Sequence, residues 1–189
     1  LLENLRQKHR DAWGPNSCDD LLVGCQLTHS GRYSYRKPLI AQRDPSLDAA
    51  PLVPKGDEKV PMPADYPVLS DDDLKRIEDA FIVAAKLAVK IGFDFLDLKQ
   101  CHRYLLSELL ASHTRPGPYG GSFENRTRLV RNVIARIRGE VSKDVLLGTR
   151  INMCDFVPYM KGADGFGTPR PYTTPYKWSF GVNPENPLE

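Results

Sequence analysis

Three short apolar runs alternate with amphipathic helix patterns along the chain, and this alternation constrains the fold more than any other feature. Each run has the length of one strand, and the three runs cover residues 21–27, 93–99 and 145–151. A helix pattern precedes every run, at residues 1–13, 70–91 and 124–141. Strands that alternate with helices predict an α/β fold in which a parallel sheet is connected by right-handed crossovers.

The helix patterns carry recognisable start and stop signals. Ser70 is followed by three aspartates, which predicts a capping box and an acidic first turn. Gly92 follows the last apolar position of that helix and is expected to end it. In the third helix we expect one apolar stripe to face the sheet, formed by Leu129, Val133, Ile134 and Ile137.

Two segments lie outside this pattern. Residues 39–69 are rich in Pro and Asp, and we expect a long irregular loop that is functional or mobile, for example as a substrate cover. The tail, about residues 153–189, is also expected to be irregular. A chain of 189 residues is long enough for one domain with a sizeable core, so residues 1–189 are interpreted as a single domain.

The composition argues against several classes of protein. The net charge of +2 is too small to favour nucleic acid or a membrane surface as partner. No apolar run approaches the roughly 20 residues of a spanning helix. The four cysteines form no CxxC pair, so we expect no metal and reduced thiols in a cytoplasmic protein. The chain does not begin with Met, and we expect it to be a fragment of something longer.

Polar side chains gather where the predicted strands end. The positions concerned are Gln26, Lys99, His102, Tyr104 and Arg150. Parallel sheets and barrels place their sites at the carboxyl edge of the strands. Three polar clusters that arrive at the same edge therefore predict a functional site.

Each of these residues has a structural and a functional interpretation. Gln26 could bind the edge of a ring or satisfy loop backbone, and Arg150 could bind an anion or form a structural salt bridge. Lys99 could be a Schiff-base nucleophile, an oxyanion donor or a solvated charge. His102 could polarise a carbonyl or bond to backbone, and Tyr104 could donate a proton or pack in the core.

Three runs of the sequence resemble the old yellow enzyme family, the NADH:flavin oxidoreductases. They are QLTHSGR at residues 26–32, YGGSFENRTR at residues 119–128 and LLGTRI at residues 146–151. The resemblance implies an eight-stranded β/α barrel that binds FMN at the carboxyl ends of its strands and takes electrons from NAD(P)H. It also implies that this chain supplies the third, fourth and fifth strands of a partial (β/α)8 barrel and requires the remainder of the barrel.

The resemblance implies roles for individual residues. Gln26 should hydrogen-bond the polar edge of the flavin ring, and Arg150 should lie near its N1 and O2 atoms, where negative charge develops on reduction. Lys99 and His102 should polarise a substrate carbonyl, and Tyr104 should protonate the α-carbon. The chain departs from the family at Lys99, where a histidine is common.

A second departure is Arg103, where the family commonly has a glycine. We expect the Arg103 side chain to add bulk and charge near the mouth of the pocket. This charge favours an anionic substrate over the enones that are familiar for the family.

The resulting hypothesis is an FMN-dependent ene-reductase that acts on a small molecule, and it leaves open a homo-oligomer. A flavin-dependent amine dehydrogenase or demethylase is one alternative. A lyase that forms a Schiff base with Lys99 is another, and a non-catalytic relative is a third.

Overall fold

The computed structural model describes residues 1–48, 52–55, 58–152, 159–171, 175–178 and 185–186. The helices are α1 (Leu2–Trp13), α2 (Asp71–Ile91), α3 (Leu105–Leu110), α4 (Phe123–Arg126) and α5 (Arg128–Arg136), and α5 continues into a π-helical turn at Ile137–Val141. The strands are β1 (Gly24–Leu27), β2 (Leu52–Lys55), β3 (Glu58–Pro61), β4 (Phe95–Gln100), β5 (Leu146–Ile151), β6 (Tyr159–Lys161) and β7 (Gly167–Pro169). No helix within these ranges is both long and apolar enough to cross a membrane.

The central sheet has three parallel strands in the order β1-β4-β5. Leu27 lies opposite Leu98 in the register of β1 with β4, and Lys99 lies opposite Arg150 in the register of β4 with β5. The carboxyl ends of the three strands therefore meet at one edge, as the alternation of strands and helices predicted.

Helix α2 begins and ends where the sequence signals predicted. The Ser70 side chain accepts from the backbone N–H of Asp73, and the Asp73 carboxylate accepts from the backbone N–H of Ser70. Gly92 ends the helix in the left-handed conformation, with a φ of 96°. The capping box satisfies backbone donors that a helix start leaves without partners, which fixes the first residue of α2.

The core lies between one face of the sheet and helices α2 and α5. Leu96 and Leu98 of β4 are fully buried there together with Phe81 of α2 and Val133 of α5. The predicted stripe of α5 is correct at three positions and wrong at Ile134, which is 39% exposed, while Val130 is buried instead. At about 100° per residue Val130 lies roughly 60° from the centre of the stripe formed by Leu129, Val133 and Ile137, and Ile134 lies roughly 100° from it, so the helical period itself places Val130 nearer to the buried face.

The segments predicted to be irregular contain two antiparallel hairpins. Strands β2 and β3 pair within residues 39–69, and β6 pairs with β7 in the tail. The first hairpin has a small core of its own, in which Ile40, Val53 and Met62 are buried. The prolines in these segments argued against strands at the level of sequence. On the outer side of a two-stranded hairpin no N–H donor is needed, so proline can be accommodated there. Of the predicted tail, residues 153–158, 172–174, 179–184 and 187–189 lie outside the described residues.

Candidate active site

The candidate site lies on the face of the sheet that turns away from the core. Side chains alternate along a strand, so Asp97 and Lys99 lie on the face opposite Leu96 and Leu98. On this face Gln26 of β1 donates a hydrogen bond from its Nε2 to Oδ2 of Asp97, at 2.6 Å. The strand-end residues that the sequence singled out on β1 and β4 are thus neighbours on one surface.

Lys99 is the buried cation of this surface, with 9% of its area exposed. Its Nζ lies 3.8 Å from the centre of the Tyr104 ring, which is a cation–π contact. Arg150 lies directly opposite Lys99 in the register and is exposed. Neither cation forms an ion pair with a residue in the described ranges. Two cations therefore stand side by side, and no carboxylate of the described residues pairs with either of them.

The turn after β4 has an unusual backbone. His102 and Arg103 both have positive φ, at 60° and 53°. Left-handed conformations are costly for residues with a Cβ, and such strain clusters at functional sites. The turn exposes the His102 imidazole and brings its centre to 6.3 Å from that of the Tyr104 ring, edge to face. The left-handed backbone also gives a physical reason for the glycine that is common in the family at position 103.

Arg103 does not extend toward the mouth of a pocket, contrary to the expectation from sequence. Its side chain is buried, and Nη1 lies 4.0 Å from Oδ2 of Asp44, which is itself buried. Asp44 also accepts from the backbone N–H and hydroxyl of Ser46. A guanidinium on a long stem is drawn to a buried carboxylate, so the charge of Arg103 stabilises the segment after Ile40.

Arg32, the last residue of the QLTHSGR run, lies at the centre of a buried ion network, a role that the sequence analysis did not predict. Its guanidinium is fully buried and donates to both carboxylate oxygens of Glu108, at 3.0 and 3.1 Å, and to Asp48 at 2.9 Å. Burial alone would lower the pKa of the guanidinium, but Glu108 raises it above its ordinary value. Glu108 also accepts from the backbone N–H groups of Ala41 and Gln42. A single acid within the apolar helix LLSELL was the sequence signal for this partner.

The exit loop of β1 positions the start of α3. The carbonyl of His29 accepts from the backbone N–H of Leu105, and the His29 Nδ1 accepts from the N–H of Gly31. Burial lowers the pKa of His29, which keeps this imidazole neutral as an acceptor at pH 7. Gly31 has a φ of 57°, and a Cβ there would lie 2.9 Å from the Leu105 nitrogen. The close approach of this loop to α3 places Tyr104, the residue before α3, beside Lys99.

The YGGSFENRTR run lies in the turn that follows α3 and connects this turn to α2. Tyr119 donates from its hydroxyl to Glu78 of α2, at 3.0 Å, and Asn132 donates to the same oxygen at 2.9 Å. Burial and the Glu78 carboxylate raise the pKa of Tyr119 to about 12. Ser122 caps α4, since its side chain accepts from the N–H of Asn125. This run is therefore structural: Tyr119 connects the turn to α2, and Asn132 of α5, which follows the run, donates to the same carboxylate.

Fold and site together define a section of a parallel β/α barrel that gathers cations and hydrogen-bonding groups at the carboxyl edge of its strands. The sequence model of the NADH:flavin oxidoreductase / NADH oxidase family matches residues 18–173. The chain belongs to this family, and the resemblance and the α/β barrel fold that were predicted from the sequence are confirmed.

Similar proteins are known from fungi and bacteria. An NADH:flavin oxidoreductase of Gibberella zeae is 33% identical over 150 residues, which are 72% of this chain and 36% of that protein. An NADPH dehydrogenase of Clostridium acetobutylicum is 32% identical over 139 residues, which are 71% of this chain and 37% of that protein. The solved structure of an old yellow enzyme homologue from Zymomonas mobilis is 28% identical, with a TM-score of 0.55 over 69% of this chain and 37% of that one. The chain thus spans little more than a third of the length of these relatives.

Membership of this family implies FMN as cofactor and NADH or NADPH as reductant. The residues present fit one edge of a flavin. The Gln26 side chain is exposed, and its amide oxygen accepts no hydrogen bond from the described residues, so it is available to an N–H donor. Arg150 offers an exposed cation for an edge that becomes negative on reduction. A search of the described residues finds no group of three His, Cys, Asp or Glu side chains that could hold a metal ion.

Proposed function

We propose that the protein is an FMN-dependent oxidoreductase that uses NADH or NADPH to reduce an activated C=C bond of a small molecule. Residues 1–189 would belong to one FMN-binding barrel domain. The observation that carries the proposal is the gathering of Lys99, His102 and Tyr104 around one turn at the carboxyl edge of β4, beside Arg150. Family membership supports the cofactor and the reductant.

Gln26 and Arg150 would hold the flavin. The amide of Gln26 offers one acceptor to the polar edge of the ring, and its Nε2 is oriented by Asp97. Arg150 would stabilise negative charge near N1 and O2, an interaction that strengthens where water is excluded. FMN would supply hydride transfer when bound, so that two electrons and one proton, together a hydride, pass from the nicotinamide to the β-carbon of the substrate.

Lys99, His102 and Tyr104 would act on the substrate. Donors from Lys99 and His102 to the carbonyl oxygen withdraw electrons from the conjugated double bond. Tyr104 would donate its phenolic proton to the α-carbon and regain one from water, so that one C=C π bond is exchanged for two C–H bonds. The Lys99 ammonium lies over the ring of Tyr104, and the backbone of Tyr104 is positioned as the residue before α3.

The test begins with the flavin. We expect the native protein to purify with yellow absorption and to oxidise NADPH faster when 2-cyclohexenone is added. Tyr104→Phe should lower the rate of alkene reduction by about 10²–10³ while the flavin is still reduced by NADPH. Tyr159→Phe, at an exposed tyrosine, is the matched control and should leave both steps unchanged. A native protein that binds no flavin would overturn the proposal.

A Schiff-base lyase is the second candidate, because Lys99 is buried and no described carboxylate pairs with it. Such a lysine suits nucleophilic attack on a carbonyl. Borohydride reduction in the presence of a carbonyl substrate, followed by mass spectrometry, would reveal a covalent adduct on Lys99. The flavin mechanism predicts no such adduct.

A further inference from the structure

The charge balance around Lys99 is incomplete. Burying an ammonium costs free energy unless an opposite charge or several acceptors compensate it. Lys99 is nine-tenths buried, and its one recorded partner among the described residues is the face of the Tyr104 ring. A ring face compensates a cation only in part.

The neighbouring charges increase the imbalance. Arg150 is the cross-strand neighbour of Lys99, and like charges directly opposite each other are unfavourable. The carboxylate of Asp97 lies on the same face but already accepts from Gln26. Arg103, the cation that the sequence suggested for this role, is buried, and its Nη1 lies near Asp44. The open face of the sheet therefore carries one acid and two bases at its carboxyl end.

We propose that Lys99 selects substrates in which the double bond is conjugated to a carboxylate, in preference to neutral enones and amides. This inference rests on the proposed function, since it names the substrate class of the same site. A carboxylate next to Lys99 supplies the negative charge that this ammonium lacks among the described residues, while Arg150 remains available to the flavin. It accepts charge-assisted hydrogen bonds from an ammonium that the Tyr104 ring already holds in place.

The chemistry of an unsaturated carboxylate explains why a lysine suits this position better than a histidine. A carboxylate withdraws electrons poorly, and negative charge accumulates on its oxygens when the β-carbon is attacked. A fixed ammonium lowers the cost of that second charge, whereas a neutral imidazole offers only a dipole. For a neutral enone the same ammonium would have to remain uncompensated in the ground state.

The experiment compares two probes of nearly identical shape, cinnamate and cinnamamide. Their dissociation constants from the native protein are measured by calorimetry without nicotinamide, so that no turnover occurs. We expect cinnamate to bind more tightly than cinnamamide by about tenfold to a hundredfold, the range of a charge-assisted hydrogen bond. Lys99→Met should remove this preference, and Lys99→His should reduce it at pH 8, where imidazole is neutral.

Lys90→Met is the matched control, because it removes the same charge from an exposed lysine near the end of α2, before β4 begins. It should leave both dissociation constants unchanged. The inference fails if native protein binds both probes equally, or if Lys99→Met weakens both to the same extent. Flavin content is read from the absorbance of the same samples. A yellow protein without the preference would refute the substrate class alone, and a colourless protein would refute the proposed function.

Discussion

Arg32 and Arg150 both come from sequence runs that mark the family, yet they lie in opposite environments. Arg32 is fully buried and donates to Glu108, Asp48 and a backbone carbonyl. Arg150 is exposed on the open face of the sheet and pairs with no described carboxylate. Its neighbour Lys99 is buried and likewise pairs with no carboxylate in the part of the chain that the structure describes.

The difference separates two uses of positive charge within one fold. A cation whose acceptors are all supplied by the chain stabilises the folded state and offers nothing to a ligand. A cation that the chain leaves without a counter-charge is available to an anionic group from outside. The sequence run around each arginine does not distinguish these uses, whereas burial and partners do. Four substitutions test the distinction through the free energy of unfolding.

The largest effect is expected for Arg32→Met. It leaves the Glu108 carboxylate buried without its cation, and breaking a buried pair in this way costs about 3–5 kcal/mol. Urea unfolding of the native protein measures the loss. Arg131→Met removes an arginine from an exposed pair with Glu124 and should cost less than about 0.5 kcal/mol. Equal losses in the two variants would contradict the structural role of the buried network.

A smaller loss of stability is expected for Tyr119→Phe. The Tyr119 hydroxyl donates a hydrogen bond to the buried carboxylate of Glu78, which thus has a neutral donor as partner instead of a cation. The pKa of Tyr119 is raised to about 12 in the folded protein, above its ordinary value of 10.0. The unfolded chain therefore loses this proton first, and stability that is present below pH 10 falls as the pH rises toward 12. Tyr119→Phe should cost about 1 kcal/mol at pH 7.

The control for Tyr119 lies in the pH profile itself. Other tyrosines and lysines also titrate above pH 10, so the informative quantity is the difference between native protein and Tyr119→Phe. That difference should shrink between pH 10 and pH 12, as the unfolding free energy of the native protein loses the contribution of this one phenol. A difference that stays constant would show that the Tyr119 hydroxyl does not retain its proton.

A third effect on stability concerns the left-handed turn at His102, close to Lys99 and Arg150. At position 102 the backbone is left-handed, with a φ of 60°, where glycine is favoured over alanine by about 1–2 kcal/mol. His102→Gly should therefore be more stable than His102→Ala by about 1 kcal/mol in urea unfolding. Both variants lack the imidazole and should lose alkene reduction alike. If alanine were as stable as glycine, the turn would not be strained.

The smallest effect on stability is expected for Arg150→Met, within about 0.5 kcal/mol, because the side chain is exposed and pairs with no described residue. Its effect should appear in cofactor binding instead. The dissociation constant of FMN, measured by the fluorescence of released flavin, should rise about tenfold or more through the loss of a charge-assisted contact. A large loss of stability with unchanged flavin affinity would place Arg150 in the same class as Arg32.

Much of the fold could be predicted from sequence because local signals and global packing agree. The Ser70 capping box, Gly92 and the three apolar runs each specify an element that the structure contains. The hairpins β2–β3 and β6–β7 could not be predicted, since they form through pairing between strands of three or four residues that include proline. Val130 could have been preferred to Ile134 from the sequence, because it lies nearer to the centre of the stripe at 3.6 residues per turn, and the structure buries it.

The candidate site was predictable as a location but not as an arrangement. Strand order and the polar strand ends brought Gln26, Lys99 and Arg150 to one edge, as parallel sheets require. The direction of the Arg103 side chain and the contact of Lys99 with the Tyr104 ring depend on a left-handed turn. The left-handed turn could not be predicted, because position 103 has an arginine where the family commonly has a glycine.

The strand order β1-β4-β5 also determines how amide hydrogens exchange with solvent. Backbone N–H groups of a strand point alternately to its two sides, so every amide of β4 faces a neighbouring strand. In β5 only alternate amides face β4. Deuterium uptake by the native protein should therefore be slow throughout β4. In β5 it should be slow at every amide only if a further strand pairs with the edge of β5 that faces away from β4. The exchange pattern of six residues would measure how far the sheet extends.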